Sequence, residues 1–169
     1  MRTALSALYR AAEVLGAVFF VLIALPILAQ VVGRPFNLIV PAADEFAGYA
    51  MAASFFLMLG PALRSGSHIR VGIVVERLQG RARRVLELAC LTFATALSGY
   101  FAVYWLRMTW QSYDFNDLSQ GVVPMPLWIP QAAMAVGLVV LVISFADDLV
   151  RVLRGKPASY ETADAPTEG

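Results

Sequence analysis

Four long runs of apolar residues, each free of charged side chains, divide the chain into membrane-sized segments. They cover residues 14–33, 46–63, 88–106 and 127–146. A helix of about 20 residues crosses the hydrocarbon core of a bilayer, because each residue adds about 1.5 Å to its length. These runs are apolar on every face, whereas helices on the surface of a soluble protein have one polar face. The pattern therefore predicts an all-α membrane protein with four transmembrane helices.

The segments outside the four runs carry the charges, and their distribution predicts the orientation. Eleven of the thirteen Arg and Lys residues lie in the N-terminal segment, in the loop between spans two and three, and in the C-terminal tail. The other side has Arg34 and Arg107. Cytoplasmic loops are enriched in basic residues, so both termini are predicted to face the cytoplasm. Residues 1–154 then form one four-helix membrane domain, and the small, polar and acidic residues 155–169 form a disordered cytoplasmic tail.

The composition agrees with a membrane protein and excludes several other classes. Hydrophobic residues make up 59% of the chain and charged residues 15%, with a mean hydropathy of +0.68, whereas soluble domains carry about 25% charged residues. A formal net charge of +1 offers no excess that would attract nucleic acid. The single cysteine, Cys90, and the single histidine, His68, exclude an intrachain disulfide, a CxxC redox pair, a structural zinc site and bis-histidine haem.

The four runs also contain no Asp, Glu, Lys, Arg or His. Charges inside a membrane usually mark the path of an ion or a charged solute. A chain that carries a charged solute by itself is expected to place complementary groups at mid-membrane, so this chain is interpreted as an accessory subunit. No nucleophile, paired carboxylates or metal-ligand cluster converges in the sequence, so we predict neither an enzyme nor a bound cofactor or metal.

Charged and aromatic residues at both ends of the second run are candidates for contacts with another subunit. Asp44 and Glu45 precede it, and Glu45 shares a helix face with Tyr49 four residues later. Arg64 follows the run and has the same spacing to His68 if the helix continues. Glu45 and Arg64 are 19 residues apart, about 28 Å along a helix, so they lie at opposite membrane surfaces. The structural alternatives are helix capping by the acids and binding of carbonyls or lipid phosphates by the bases.

The loop between spans two and three contains a basic segment with apolar residues between its arginines. Arg77, Arg81, Arg83 and Arg84 are interleaved with valines and leucines over residues 74–86. A basic amphipathic segment of this kind lies on the anionic inner leaflet, where its arginines bind lipid phosphates. We therefore predict a cytoplasmic segment on the membrane surface, with phospholipid headgroups as its partners.

Three features that follow one another along the chain indicate a family. They are Asp44-Glu45 with Tyr49, then Gly60 with Arg64 and His68-Ile69-Arg70-Val71, then Pro126-Leu127-Trp128-Ile129-Pro130 with Gly137. In this order, within four spans, they resemble the small membrane subunit of the tripartite ATP-independent periplasmic (TRAP) transporters, the DctQ-like family. The resemblance covers about residues 10–150 of the sequence.

The resemblance implies a non-enzymatic subunit of the bacterial inner membrane. In this family a large multispan subunit holds the substrate and sodium sites, and a periplasmic binding protein delivers the solute. The solute is an organic acid, such as a dicarboxylate, a sugar acid or a sialic acid. The small subunit serves as a fixed scaffold for the large one. The residues expected at its interfaces are Asp44, Glu45, Tyr49, Arg64, His68 and Trp128.

Two other functions stay open on the sequence alone. The first is a membrane anchor that binds quinone or haem for a redox complex, which the surface position of His68 disfavours. The second is a small exporter that works as a homo-oligomer. A Soret band in the absorbance spectrum would indicate the anchor, and copurification with a much larger membrane chain would count against the exporter.

Overall fold

The computed structural model describes residues 2–38, 40–65 and 81–155 together with Ser159. This part of the chain contains four α-helices, α1 (Arg2–Gly33), α2 (Ala43–Arg64), α3 (Arg81–Asp114) and α4 (Trp128–Leu153). Each helix is long and apolar enough to cross a membrane. The predicted all-α fold with four transmembrane helices is therefore confirmed, and the orientation of the termini stays a prediction.

Consecutive helices run in opposite directions, so the ends of the helices form two opposite ends of the domain. Residues 34–42 and 115–127 connect helices at one end, which we name the loop end. The start of α1, the end of α2, the start of α3 and the end of α4 lie at the other, which we name the terminal end. Most of the predicted membrane-surface segment lies outside the described residues, and its last arginines belong to α3.

Helix α3 is longer than a membrane span at both ends. Its 34 residues extend about 51 Å, compared with a hydrocarbon core of about 30 Å. It begins seven residues before the predicted span 88–106 and ends eight residues after it. Those last eight residues add about 12 Å to the helix. The loop end of α3 is therefore expected to project from the bilayer.

The helices pack in a row in the order α1, α2, α4, α3, each mainly against its neighbours in that order. Among the four helices, α4 has the largest buried share and α1 the smallest. Edge helix α1 exposes Phe20 and Val21, and edge helix α3 exposes Phe93 and Phe101. In a bilayer such faces contact lipid or an apolar surface of another membrane protein. The row thus leaves two apolar edges available for further packing.

Glycines allow α2 and α4 to approach closely. Gly137 of α4 lies against the backbone of Phe56 and Leu57, where an added Cβ atom would overlap the Phe56 carbonyl group. Gly60 of α2 faces Val140, whose Cγ1 would lie 2.7 Å from an added Cβ atom. Small residues of this kind let membrane helices pack with their backbones close together. The central contact of the row therefore depends on residues that lack a side chain.

Ser54 links α2 to α1 by a buried hydrogen bond. Its hydroxyl donates to the carbonyl oxygen of Gly16 at 2.9 Å. Replacing Ser54 with alanine is expected to lower the free energy of unfolding by about 0.6 kcal/mol, the average for side-chain hydrogen bonds between membrane helices. Unfolding in detergent, followed by tryptophan fluorescence, measures the difference from wild type.

Ser98→Ala is the matched control for Ser54→Ala. The buried Ser98 hydroxyl donates to the carbonyl oxygen of Ala94 at 2.7 Å, within its own helix. Its removal leaves the contacts between helices intact, so this variant is expected to unfold like wild type. Equal losses of stability for the two variants would contradict the role assigned to Ser54.

Candidate functional site

The connection between α3 and α4, residues 115–127, folds back on itself at the loop end. The backbone N–H of Ser119 donates to the carbonyl oxygen of Met125 at 2.8 Å. The N–H of Met125 in turn donates to the Ser119 hydroxyl at 3.1 Å. These bonds close the base of a hairpin-like loop and leave Gly121 and Val122 at its tip.

Glu45 lies in the first turn of α2, and its side chain reaches the tip of this loop. The N–H of Val122 donates to Oε1 of Glu45 at 3.3 Å. The same carboxylate lies against Gly121, at the place that a Cβ atom would occupy, so a larger residue there would displace it. The predicted interface residue Glu45 thus contacts this chain's own loop. Its contact with another subunit stays a prediction.

The other candidates near Glu45 have different neighbours. Asp44 is exposed, and Tyr49 is half-buried beside an apolar cleft. Trp128, the first residue of α4, is half-buried, and its ring packs edge-on against Tyr113 of α3 with the centroids 5.6 Å apart. All of these candidates lie at the loop end, and none has an assigned partner outside the chain, so their interface roles stay predictions.

The cleft beside Tyr49 lies between α1, α2 and α4 and has a volume of about 450 Å³. Three prolines from separate segments, Pro26, Pro41 and Pro130, are among the residues that line it. The remaining lining side chains are aliphatic or aromatic. Such a lining suits an acyl chain or an apolar side chain of another protein, because it gives a charged solute no ionised partner.

Beyond the predicted span, α3 and the following loop expose apolar and acidic side chains together. Trp110, Phe115 and Val122 are 71%, 73% and 77% exposed. Asp114 and Asp117 in the same segment are also exposed. Exposed apolar side chains that are rimmed by polar ones mark protein contacts. We name these five residues the loop-end surface.

Arg64, the last residue of α2, contacts α1 at the terminal end. Its guanidinium carbon lies 4.8 Å from the centroid of the Tyr9 ring, a cation–π geometry. Tyr9 is buried and packs against Val140 of α4. Arg64 therefore helps to join α2 to α1, and its contact with another subunit stays a prediction. His68, the other candidate at this end, lies outside the described residues.

Asp148 is a buried carboxylate near the end of α4, with 1% of its surface exposed. Its Oδ1 accepts a hydrogen bond from the Ser159 N–H at 2.8 Å, and its Oδ2 accepts one from the Ser159 hydroxyl at 2.9 Å. Nη1 of Arg151 lies 4.0 Å from Oδ1. One residue of the predicted tail is thus bound to α4. The disorder of residues 155–169 stays a prediction, because most of them lie outside the described part of the chain.

The arginines of the predicted membrane-surface segment are placed only in part. Arg81, Arg83 and Arg84 are exposed at the start of α3. Nη2 of Arg84 donates to the carbonyl oxygen of Val152 at 3.4 Å, so this side chain also contacts the end of α4. Arg77 lies outside the described residues. Lipid headgroup binding by these arginines stays a prediction.

The polar groups of the two ends are suited to holding segments together. Glu45 joins α2 to the loop, Arg64 joins α2 to α1, and Asp148 joins α4 to the tail. Across the described ranges, no three His, Cys, Asp or Glu side chains lie close enough together to hold a metal ion. The arrangement therefore favours a structural or binding role.

The profile of one protein family matches most of the chain. Its description is "Tripartite ATP-independent periplasmic transporters, DctQ component", and the match covers residues 23–155. The chain belongs to this family. Comparisons with the curated proteins and with the solved structures find no match. The resemblance predicted from the sequence is confirmed, and this DctQ component is the small subunit of a TRAP transporter and a multi-pass membrane protein.

Family membership gives the partners of the DctQ component in general terms. A tripartite transporter combines it with a large membrane subunit and a periplasmic binding protein. The matched range contains all four membrane-spanning helices, α1 in part, and it includes the contact of Glu45 with the loop.

Several residues that make contacts in this DctQ component were not predicted from the sequence. Asp148 had a usable signal, because a carboxylate directly after an apolar run lies close to hydrocarbon and needs partners. Tyr9 and Ser159 had none, since their partners lie on other helices or far along the chain. Gly121 also had none, because its neighbour Glu45 lies 76 positions earlier.

Proposed function

We propose that this DctQ component is the fixed scaffold of a sodium-coupled importer in the bacterial inner membrane. The imported solute is an organic acid of the dicarboxylate, sugar-acid or sialic-acid class, delivered by the periplasmic binding protein. The large membrane subunit holds the solute and the sodium ions. The small subunit supports and orients it.

The observation that carries the proposal is the apolar character of the membrane part. The cleft of about 450 Å³ is lined by aliphatic and aromatic residues, and the four spans contain no Asp, Glu, Lys, Arg or His. A carboxylate solute or a sodium ion in the membrane needs oppositely charged or polar ligands. Those ligands are therefore assigned to the large subunit, and this chain supplies packing surfaces.

The distribution of basic residues supports the orientation within the inner membrane. In the sequence, eleven of the thirteen Arg and Lys residues lie before span one, between spans two and three, or after span four, in segments that adjoin the helix ends of the terminal end. Under the positive-inside rule this end faces the cytoplasm, and the loop end faces the periplasm. The loop-end surface then lies on the side from which the binding protein arrives. Arg77, Arg81, Arg83 and Arg84 lie on the side of the anionic inner leaflet.

The row of helices supports the scaffold role. Edge helices α1 and α3 expose long apolar faces, while the middle of the row is held by close glycine contacts. One edge is available for the large subunit and the other for lipid. Asp44, Tyr49 and Trp128, which lie at the loop end, are proposed to contact the large subunit or the binding protein there.

Reconstitution into liposomes tests the proposed function. Vesicles that contain the small and large subunits are expected to accumulate a radiolabelled organic acid only when the binding protein and an inward sodium gradient are present. Vesicles that contain the small subunit alone are expected to show no uptake under any of these conditions. The large subunit alone is expected to show much lower uptake than the two subunits together.

Three results would contradict the proposal. Uptake by the small subunit alone would place the transport site in this chain. Equal uptake by the large subunit with and without this chain would exclude a scaffold role. Uptake that does not depend on sodium would remove the proposed coupling.

A further inference from the structure

We propose that Glu45 is a positioning residue that ties the tip of the 115–127 loop to α2 and thereby fixes Val122, the part of the loop-end surface at this tip, for docking of the periplasmic binding protein. The inference rests on the proposed function, because it takes the loop end as the periplasmic face. It assigns to Glu45 a contact within the chain instead of a contact with another subunit.

Two separate observations place the carboxylate at the tip. The first is the hydrogen bond from the Val122 N–H to Oε1 at 3.3 Å. The second is the shape of Gly121, where the Glu45 carboxylate occupies the space of a missing Cβ atom. Glycine is therefore needed at position 121 for the side chain to reach the backbone. The contact joins residues 77 positions apart, from different helical hairpins of the fold.

The base of the loop holds itself together, but its tip lies further out. Ser119 and Met125 form two hydrogen bonds across the base, and Leu118 pairs with Pro126 as an antiparallel bridge. The tip residue Val122 is 77% exposed. A tip this exposed has little packing of its own, so the bond from α2 restrains it. Loss of that bond is expected to increase the motion of the tip and leave the base closed.

A restrained tip favours docking because it lowers the entropy that is lost on binding. Surfaces that are ordered before association bind more tightly than surfaces that become ordered during it. The loop-end surface presents the exposed aromatic rings of Trp110 and Phe115, of the kind that dominates binding energy in protein interfaces. Its carboxylates, Asp114 and Asp117, suit a basic patch on the partner. The occupant is therefore a soluble protein with basic and apolar residues at its docking face.

The experiment compares four variants in the complete transporter. Glu45→Ala removes the acceptor, and Gly121→Ala displaces the intact carboxylate with a Cβ atom. Glu45→Gln keeps an oxygen that can accept from Val122, and the double variant Glu45→Ala/Gly121→Ala tests whether both act on one contact. The matched control is Gly99→Ala, where an added Cβ atom meets nothing within 4 Å.

Three quantities are measured for each variant. They are hydrogen exchange of the peptide that contains Val122, the concentration of binding protein that gives half-maximal uptake, and the maximal uptake rate. Glu45→Ala and Gly121→Ala are each expected to speed the exchange and to raise the half-maximal concentration about tenfold. The double variant is expected to match either single one. Glu45→Gln and the Gly99→Ala control are expected to behave like wild type, and all maximal rates are expected to stay within about twofold of it.

The outcomes separate this inference from the proposed function. If wild type shows no uptake, the proposed function fails, and the exchange of Val122 still tests the contact. If uptake is normal but exchange is unchanged in Glu45→Ala, the contact is overturned. Faster exchange with an unchanged half-maximal concentration overturns the docking role. If Glu45→Gln is as impaired as Glu45→Ala while Gly121→Ala is normal, Glu45 touches the binding protein directly, and the positioning role is overturned.

Discussion

Replacing Gly137 with alanine is expected to destabilise the membrane domain by about 2–3 kcal/mol, the upper range for overpacking of a tight core. The added Cβ atom would overlap the carbonyl group of Phe56 and the amide nitrogen of Leu57. These are backbone atoms of a helix and cannot rotate away as a side chain does. The clash therefore separates α2 from α4, the two helices at the centre of the row. Unfolding in detergent, with the yield of monodisperse protein, measures the loss.

Gly99→Ala and Gly48→Ala are the matched controls for this variant. Both glycines lie within membrane helices, and an added Cβ atom meets nothing within 4 Å at either position. Because alanine is favoured over glycine in helices by about 1 kcal/mol, these variants are expected to be as stable as wild type or slightly more stable. If Gly137→Ala is as stable to unfolding as the two controls, α2 and α4 are not in close contact.

The same substitution is expected to weaken the transporter as well. If the small subunit is a scaffold, spreading its two central helices alters the edges on which the large subunit packs. Uptake by Gly137→Ala is therefore expected to fall with the amount of complex that copurifies, while uptake per assembled complex stays near wild type. Normal assembly with lost uptake would instead assign Gly137 a direct part in transport.

The existence and number of the helices could be predicted because the bilayer itself imposes them. A span needs about 20 residues without charge, and the interruptions at residues 34–45, 64–87 and 107–117 are visible in the sequence. The structure places a helix over each run. The extension of α3 to Asp114 was less predictable, because residues 107–114 are polar and aromatic and fit a loop equally well.

The order of the helices in the row could not be predicted. Helices that are apolar on all sides carry no periodic signal for the face that is buried. Hydropathy would even mislead, since α1 is the most apolar of the four described helices and also the least buried. What decides the packing is the position of small residues, and the sequence offers several. Gly137, four residues after Ala133, lies in a tight contact. Gly48, which has the same spacing to Ala52, faces open space.

The candidate residues were predictable in kind, but their partners were not. A charge at the end of a span was a sound reason to select Glu45 and Arg64, and both make a specific contact. Those contacts join segments that are 77 and 55 positions apart in the chain. Helical spacing relates a residue only to others on its own helix, so it linked Glu45 to Tyr49 and not to Val122.

Both ends of the row are thus held by contacts of charged groups, while the membrane part is held by apolar packing and neutral hydrogen bonds such as the one from Ser54 to Gly16. This division follows from the solvent, because a hydrogen bond between charged and neutral groups can form at an end without moving a charge into hydrocarbon. It also suits the proposed scaffold role, because the contacts at the ends join the helices to one another. Asp148 provides the strongest of these end contacts that the structure describes, with two hydrogen bonds to one residue.

Replacing Asp148 with alanine is expected to lower the free energy of unfolding by about 2–3 kcal/mol. Hydrogen bonds to a charged group are stronger than those between neutral groups, and a buried donor that loses its acceptor has no water to replace it. The variant leaves the N–H and the hydroxyl of buried Ser159 without their acceptors. It also removes the carboxylate that lies 4.0 Å from Arg151. Unfolding in detergent measures the loss. Limited proteolysis is expected to remove the residues after Gly155 more rapidly than in wild type.

Three further variants show whether the loss comes from this contact. Ser159→Ala keeps the backbone N–H and loses the hydroxyl bond to Asp148, so it is expected to cost about 1 kcal/mol. In the double variant with Asp148→Ala, that cost is expected to disappear, because the acceptor is already gone. Asp147→Ala alters the adjacent, half-buried carboxylate and is expected to leave the proteolysis of the tail unchanged. If the costs of Asp148→Ala and Ser159→Ala instead add in full, the two residues are not partners, and the tail is held at the end of α4 by other groups.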